Sequence, residues 1–263
     1  YDASSETVSH YFDNPELRTY ALYQIRCITP SHQPNTIWAA YYGNRIVCLQ
    51  RQEMQIKVLK SFTLDDYSNE SGEIDCMVED SKGNLWIGAQ NATFRYNVAS
   101  GAVNQIVDVE GQVASIAITS TGQVWFAMKD GGLIRYHKQK PEKIETTFGI
   151  NSFADDGQGH FWIATSEGEI IRYDVTNGIF SDFTTTCGME GNVINDIIAD
   201  SKGNLWIVSN QQIRIFDQQT NALRNISTAD ENVEMQRFLP HAVYYDKEGQ
   251  VVYLGGIPGI TTV

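Results

Sequence analysis

Hydrophobic positions along this chain alternate with polar ones over runs of five or six residues, which turn-forming residues then interrupt. No stretch sustains the spacing of an amphipathic helix. The clearest case lies between residues 74 and 107. Residues 74–80 are apolar and β-compatible, Ser81-Lys82-Gly83 turns the chain, and residues 84–89 form a second run. Residues 93–98 make a third strand after Gln90-Asn91-Ala92, and residues 103–107 a fourth after Ser100-Gly101. In the Asp-x-x-Gly turn the carboxylate accepts backbone hydrogen bonds and the glycine takes the positive φ that a Cβ resists. Four strands in about forty residues predict one propeller blade.

The pattern recurs. Asp80-Ser81-Lys82-Gly83-Asn84-Leu85-Trp86-Ile87 returns unchanged as Asp200-Ser201-Lys202-Gly203-Asn204-Leu205-Trp206-Ile207. Looser copies are Thr119-Ser120-Thr121-Gly122-Gln123-Val124-Trp125-Phe126 and Asp156-Gly157-Gln158-Gly159-His160-Phe161-Trp162-Ile163. The five tryptophans, at 38, 86, 125, 162 and 206, are separated by 48, 39, 37 and 44 residues, and Tyr253 falls 47 residues further on as a sixth copy. Arg95-Tyr96, Arg135-Tyr136 and Arg172-Tyr173 echo on third strands, with Phe216 in the aromatic place of the fifth repeat. These rings are expected to fill the space between sheets. The fold class is therefore all-β, a β-propeller of four-stranded antiparallel blades with six repeats visible, at about 20–62, 72–107, 111–147, 148–184, 190–227 and 236–263. The chain reads as a single propeller domain or a fragment of one.

Composition narrows the partners. Net charge is −13, so the surface repels phosphate backbones and anionic lipid, and neither nucleic acid nor a membrane surface is an expected partner. No apolar run approaches about eighteen residues, so no membrane span is expected in this segment. Tyr1-Asp2-Ala3-Ser4 opens no signal peptide, and the start reads as a cut from something larger. The four cysteines show no Cys-x-x-Cys pairing and the five histidines are scattered, so no metal or cofactor is expected. Cys27 and Cys76 precede Trp38 and Trp86 by eleven and ten residues, and their later counterparts are Ser115, Ser152 and Asp196. First strands lie nearest a propeller axis, so these positions predict a line of small or polar groups. The neighbouring cysteines there read either as a disulfide or as two free, partly buried thiols.

The sequence apolar-x-x-apolar, then Asp-x-x-Gly-x-Leu-Trp-Ile, then Arg-Tyr, resembles the two-component regulator propeller repeat, most closely over residues 74–96 and 193–217. The tail, with Tyr253-Leu254-Gly255-Gly256-Ile257-Pro258-Gly259-Ile260, resembles the ending of the last blade in that family's second propeller. The resemblance implies the periplasmic sensor region of a hybrid two-component system of gut bacteria, regulating polysaccharide-use genes. In such proteins two seven-bladed propellers precede a β-sandwich, a membrane helix and a histidine kinase. It thus implies a seventh blade, partners in the missing propeller and β-sandwich segments, and an oligosaccharide-type ligand. The first repeat departs from the pattern, with Thr29-Pro30-Ser31-His32 at the turn and no Arg-Tyr on its third strand; residues 1–18 match no repeat, and Tyr1-Asp2 reads as the end of an upstream blade.

Two rival readings stand beside a non-catalytic sensor. Propeller lyases that use His and Glu with a divalent ion have similar repeats; here His137 and His160 lie among Asp130, Glu142, Asp155 and Asp156, although His160 replaces the turn asparagine of its copies. The other rival is a protein-interaction platform, and unpaired end blades would also promote self-association. If a ligand binds, the expected face carries the second-to-third-strand turns and the blade-to-blade links. Its candidates are Tyr41, Tyr42, Gln90, Asn91, Lys129, Asp130, Ser166, Glu167, Asn210 and Gln211, residues able to hydrogen-bond or stack on sugars.

Overall fold

The computed structural model describes residues 24–52, 55–68, 71–137, 140–210, 212–227, 237–257 and 260–263. Blade 1 comprises β1 (Ile25–Pro30), β2 (Thr36–Tyr41), β3 (Arg45–Gln52) and β4 (Gln55–Thr63). Blade 2 comprises β5 (Ile74–Glu79), β6 (Asn84–Ala89), β7 (Thr93–Asn97) and β8 (Val103–Gln105). Blade 3 holds β9 (Val113–Ile118), β10 (Val124–Met128), β11 (Leu133–His137) and β12 (Lys140–Ile144). Blade 4 holds β13 (Ile150–Asp155), β14 (His160–Thr165), β15 (Ile170–Asp174) and β16 (Ile179–Asp182). Blade 5 holds β17 (Ile194–Ala199), β18 (Asn204–Ser209), β19 (Gln212–Asp217) and β20 (Leu223–Ser227). A last sheet contains β21 (Arg237–Asp246), β22 (Val251–Ile257) and β23 (Ile260–Thr262). Each sheet pairs its strands in chain order, and the assigned registers are antiparallel. Among the described residues the one helical segment is a 3-10 turn at Leu64–Asp66.

The chain divides into two compact units, Tyr1–Val113 with blades 1 and 2, and Ala114–Val263 with the rest. Among the described residues the fold is thus an all-β propeller type with five four-stranded blades, not the six expected or the seven implied. The sixth repeat forms a sheet of three strands, the first of which, β21, is 10 residues long. Phe238 pairs with Gly256 and Val243 with Leu254, leaving residues 239–242 bulged opposite Gly255. Residues 1–18, expected to supply part of a seventh blade, lie outside the described residues.

The repeated octapeptide is a hydrogen-bonded unit. Asp80 Oδ1 accepts from the backbone N–H of Lys82 and Asn84, both at 2.9 Å, and Gly83 sits at φ +74°. Asp200 does the same for Lys202 and Asn204 at 2.9 and 2.8 Å. The second carboxylate oxygen receives the indole N–H two residues beyond that asparagine: Trp86 and Trp206 each donate at 2.9 Å to Asp80 and Asp200. Where the motif changes, two of the three indoles find another partner in the same unit. Trp38 donates to buried Glu79 at 2.7 Å and Trp162 to Gln218 at 3.0 Å, while His160 bonds the Asp156 carboxylate at 3.0 Å. Trp125, whose turn begins with Thr119, has no partner for Nε1 among the described residues.

All five tryptophans occupy second strands and pair across to the third. Arg95, Arg135 and Arg172 lie opposite Trp86, Trp125 and Trp162 and place their guanidinium carbons 5.6–5.8 Å from the ring centroids. Such contacts are favourable because the ring face is electron-rich. The following aromatic points the other way. Tyr96 meets Trp38 edge-on at 5.7 Å, Tyr173 meets Trp125 at 6.3 Å, and Phe216 meets Trp162 at 5.9 Å. Alternation along the third strand thus sends the arginine to its own blade's tryptophan and the aromatic to the preceding blade's, which accounts for the Arg-Tyr echo as packing.

These turns give the stability a pH signature. Burial by itself raises the Asp80 and Asp200 carboxyls, but hydrogen bonds from Asn84, Trp86 and Lys82, and from Trp206, Asn204 and Lys202, outweigh it and hold both below the usual carboxylate range. A depressed folded-state pKa stabilises the fold above the unfolded value and ceases to do so as pH falls through the folded value. Asp80→Asn combined with Asp200→Asn should therefore lower the melting temperature fully above about pH 4. The gap should close in more acidic buffer, where the wild-type carboxyls are also neutral. A gap independent of pH would show that the carboxylate charge contributes nothing.

Candidate ligand-binding face

The link after blade 1 lies between two turns of its own unit. Leu64 N–H donates to Asn44 O at 3.0 Å, Asn44 Nδ2 donates to Asp65 Oδ1 at 3.0 Å, and Asn91 N–H donates to Ser71 O at 2.9 Å. Thr63 caps the 3-10 turn through Oγ1 on the Asp65 N–H. The turn after β2 and the turn after β6 therefore share one face with the link, as expected. Tyr42 and Tyr67, each two residues from the Asn44–Asp65 bond, are 55% and 50% exposed. Asp66, next to Tyr67 in sequence, and Asn91, on the turn after β6, are also exposed. Tyr41 does not join them: it is buried in a small cluster with Ala39, Val47 and Leu49. Side chains alternate along β2, so its last residue points into the sheet's packing face while the first turn residue reaches solvent.

Other candidates hold blades together. Gln90 joins the link through its backbone N–H, which donates to Glu73 O at 3.0 Å, and through Oε1, which accepts from Glu73 N–H at 3.4 Å. In the second unit Lys129 Nζ hydrogen-bonds Asn151 Oδ1 of blade 4. Asn210 Oδ1 accepts from Asn195 Nδ2 at 3.0 Å, and Asn210 O accepts from Phe238 N–H at 2.9 Å. Ser166, whose N–H donates to Gly149 O at 3.0 Å, Glu167 and Asp130 are exposed on their turns. Gln211 lies outside the described residues. Bonds to the link or to a neighbouring blade therefore claim Gln90, Lys129 and Asn210, and Tyr42, Asn91, Asp130, Ser166 and Glu167 remain at the surface.

What sequence reading missed is a bulge in the first strands. Pairing skips one residue at Arg26, Asp75, Asn151 and Asn195. A bulge re-aims its extra side chain, and here it aims at the neighbouring blade. Arg26 bonds Asp75 at 2.8 Å, Asp75 accepts from Gln112 at 2.7 Å, Asn151 receives Lys129, and Asn195 bonds both Asn210 and Phe238 O at 3.0 Å. The available signal was a polar residue directly before each small first-strand position. Those small positions also meet: Ser152 Oγ hydrogen-bonds Asp196 Oδ1. Burial raises the Asp196 carboxyl, opposed by His241, Ser152 and the Ile197 and Val243 N–H groups.

The residues of the metal-lyase reading are dispersed. Glu142 pairs with Arg135, Asp156 with His160, and Asp155 Oδ1 accepts from Gly157 N–H at 2.9 Å. Among the described residues no three His, Cys, Asp or Glu side chains gather as a metal set, and no helix is long and apolar enough to cross a membrane.

Comparison with known proteins agrees with this geometry. The extracellular domain of the putative hybrid two-component system BT3049 from B. thetaiotaomicron superposes with a TM-score of 0.70 at 21% identity, over 91% of this chain and 33% of that one. That of the putative one-component system BT4673 from the same organism gives 0.68 at 18%, over 91% and 32%. PorZ, a surface component of the type-IX secretion system of Porphyromonas gingivalis, gives 0.67 at 12%, over 90% and 38%. At these identities the likeness is one of fold, and the chain spans about a third of the length of each structure. No curated protein matches the chain. The family model "two component regulator propeller" matches residues 70–91 and 188–211, and each span contains one copy of the octapeptide with its Asp–Trp bond, Asp80–Trp86 and Asp200–Trp206. Within those two spans, residues 70–91 and 188–211, the chain is similar to the two-component regulator propeller repeat.

Proposed function

We propose that this chain is a non-catalytic, extracytoplasmic ligand-recognition propeller of a two-component signalling protein, and that its ligand is an oligosaccharide. The observation that carries the ligand class is the pair of half-exposed tyrosines, Tyr42 and Tyr67, beside an ordered amide–carboxylate bond on the link face of the first unit. Aromatic faces stack on the apolar side of a sugar ring, and amides and carboxylates bond its hydroxyls. A net charge of −13 favours a neutral ligand over an anionic one. The extracytoplasmic setting and the two-component context draw on the repeat family and on the extracellular domains that share the fold.

Calorimetry against a panel of neutral oligosaccharides tests this. One of them should bind without turnover, and Tyr42→Ala and Tyr67→Ala should each weaken it about tenfold or more, the equivalent of about 1.4 kcal/mol. Both rings are exposed, so the melting temperature should stay within the small range of surface substitutions. Equal binding by the variants would remove the site from this face. Hydrolysis or elimination of a sugar would replace the sensor with an enzyme.

A further inference from the structure

Cys27 and Cys76 have no role in the face just described. Each is the residue after the bulge in its first strand, and they pair with Ala40 and Gly88, two residues beyond Trp38 and Trp86. Ser152 and Asp196 hold the same place in blades 4 and 5, opposite Ala164 and Val208. There the two side chains bond directly, Ser152 Oγ to Asp196 Oδ1, so this register position brings side chains of adjacent blades into contact. In the first unit β1 packs against β5, and the residues immediately before the two cysteines, Arg26 and Asp75, are bridged at 2.8 Å. The Cys76 thiol donates onward to Val113 O at 3.6 Å, along the same line of first strands. Both residues are partly buried, whereas Cys48 and Cys187 are fully buried.

We propose that Cys27 and Cys76 are an oxidisable pair that closes an interblade disulfide by exchange with a protein or glutathione disulfide. One thiol, as thiolate, attacks a sulfur of the oxidant, breaking its S–S bond and releasing one thiolate. The other, after losing its proton, attacks the resulting mixed disulfide and releases the second. Two protons leave the pair, two electrons reduce the oxidant, and one S–S bond replaces another. Burial, with the Asp75 carboxylate adding to it, pushes the Cys27 thiol up to about 12, and burial raises Cys76 well above its ordinary value. The thiolate is the reacting species, so closure is slow and needs an oxidoreductase to deliver the disulfide. The use of such a bond in the cell rests on the extracytoplasmic setting proposed above; the bond itself does not.

The test is the folded chain incubated with oxidised glutathione and a catalytic amount of an oxidised thioredoxin-fold oxidoreductase, then denatured and alkylated. The expected product has lost two hydrogen atoms, carries alkyl groups on Cys48 and Cys187, and yields one proteolytic fragment joining Cys27 to Cys76. Its melting temperature should rise relative to the reduced chain, and Cys27→Ser should melt identically under both conditions. Alkylation of all four thiols, or a fragment that joins Cys48 or Cys187, would overturn the proposal. The wild-type mass decides it even if the variant folds poorly. Loss of oligosaccharide binding would leave this result untouched, so the two readings fail separately.

Discussion

Trp86→Ala and Trp206→Ala should each destabilise the fold by about 3–5 kcal/mol, the range for deleting a large aromatic side chain from a packed interior. Both rings are buried on second strands, and both N–H groups satisfy the Asp80 and Asp200 carboxylates at 2.9 Å. Truncation removes the bulk, empties the space beneath Arg95 in the first case, and strips a hydrogen bond from a turn. Phenylalanine separates packing from bonding. Trp38→Phe leaves buried Glu79 without the donor now 2.7 Å away, so it should cost more than Trp125→Phe, whose Nε1 has no partner among the described residues. Denaturant unfolding of the four variants checks the order. If the alanine variants kept the wild-type midpoint and lost ligand binding instead, the tryptophans would be recognition residues and not core.

Gly168→Ala should be the most damaging single-methyl addition, at about 3–5 kcal/mol, because it combines two named mechanisms. Gly168 has φ +88°, which an L side chain resists, and a Cβ there would stand 2.1 Å from Asn192 O. That oxygen belongs to the backbone of the link entering blade 5, so neither partner can swing aside. Gly83 supplies the control: its φ is +74°, but a Cβ would meet nothing within 4 Å. Gly83→Val should therefore cost only the strain, about 1–3 kcal/mol. Equal melting temperatures for the Gly168 and Gly83 variants would mean that the link gives way, and the close approach would then contribute no rigidity.

The blades were legible because their information is local. Period-2 alternation, the Asp-x-x-Gly turn and an indole two residues past the asparagine are short-range features, and residues 74–97 fold as the pattern predicted. The Arg-Tyr echo was visible too, although its division of labour was not. That division depends on which neighbour lies on each side of the third strand. The sixth repeat misled for a related reason. Residues 239–242 fall inside the span 236–263 given to the sixth repeat, and only the pairing across from Gly255 shows that four residues are spent in a bulge. On the face, Tyr41 and Tyr42 are adjacent and alike in sequence, yet one is buried and the other exposed.

Fold class, repeat number to within one blade, and the turn chemistry were therefore determined by the sequence itself, since each rests on contacts within a few residues. Tertiary structure alone decided which polar side chains are spent between blades and which face solvent. Lys129, Gln90 and Asn210 look like surface groups until the bulged first strand of the next blade presents Asn151, the bulge of Asn210's own blade presents Asn195, and the link presents Glu73. Such pairings span up to 22 residues and depend on how adjacent sheets pack, which no local pattern encodes.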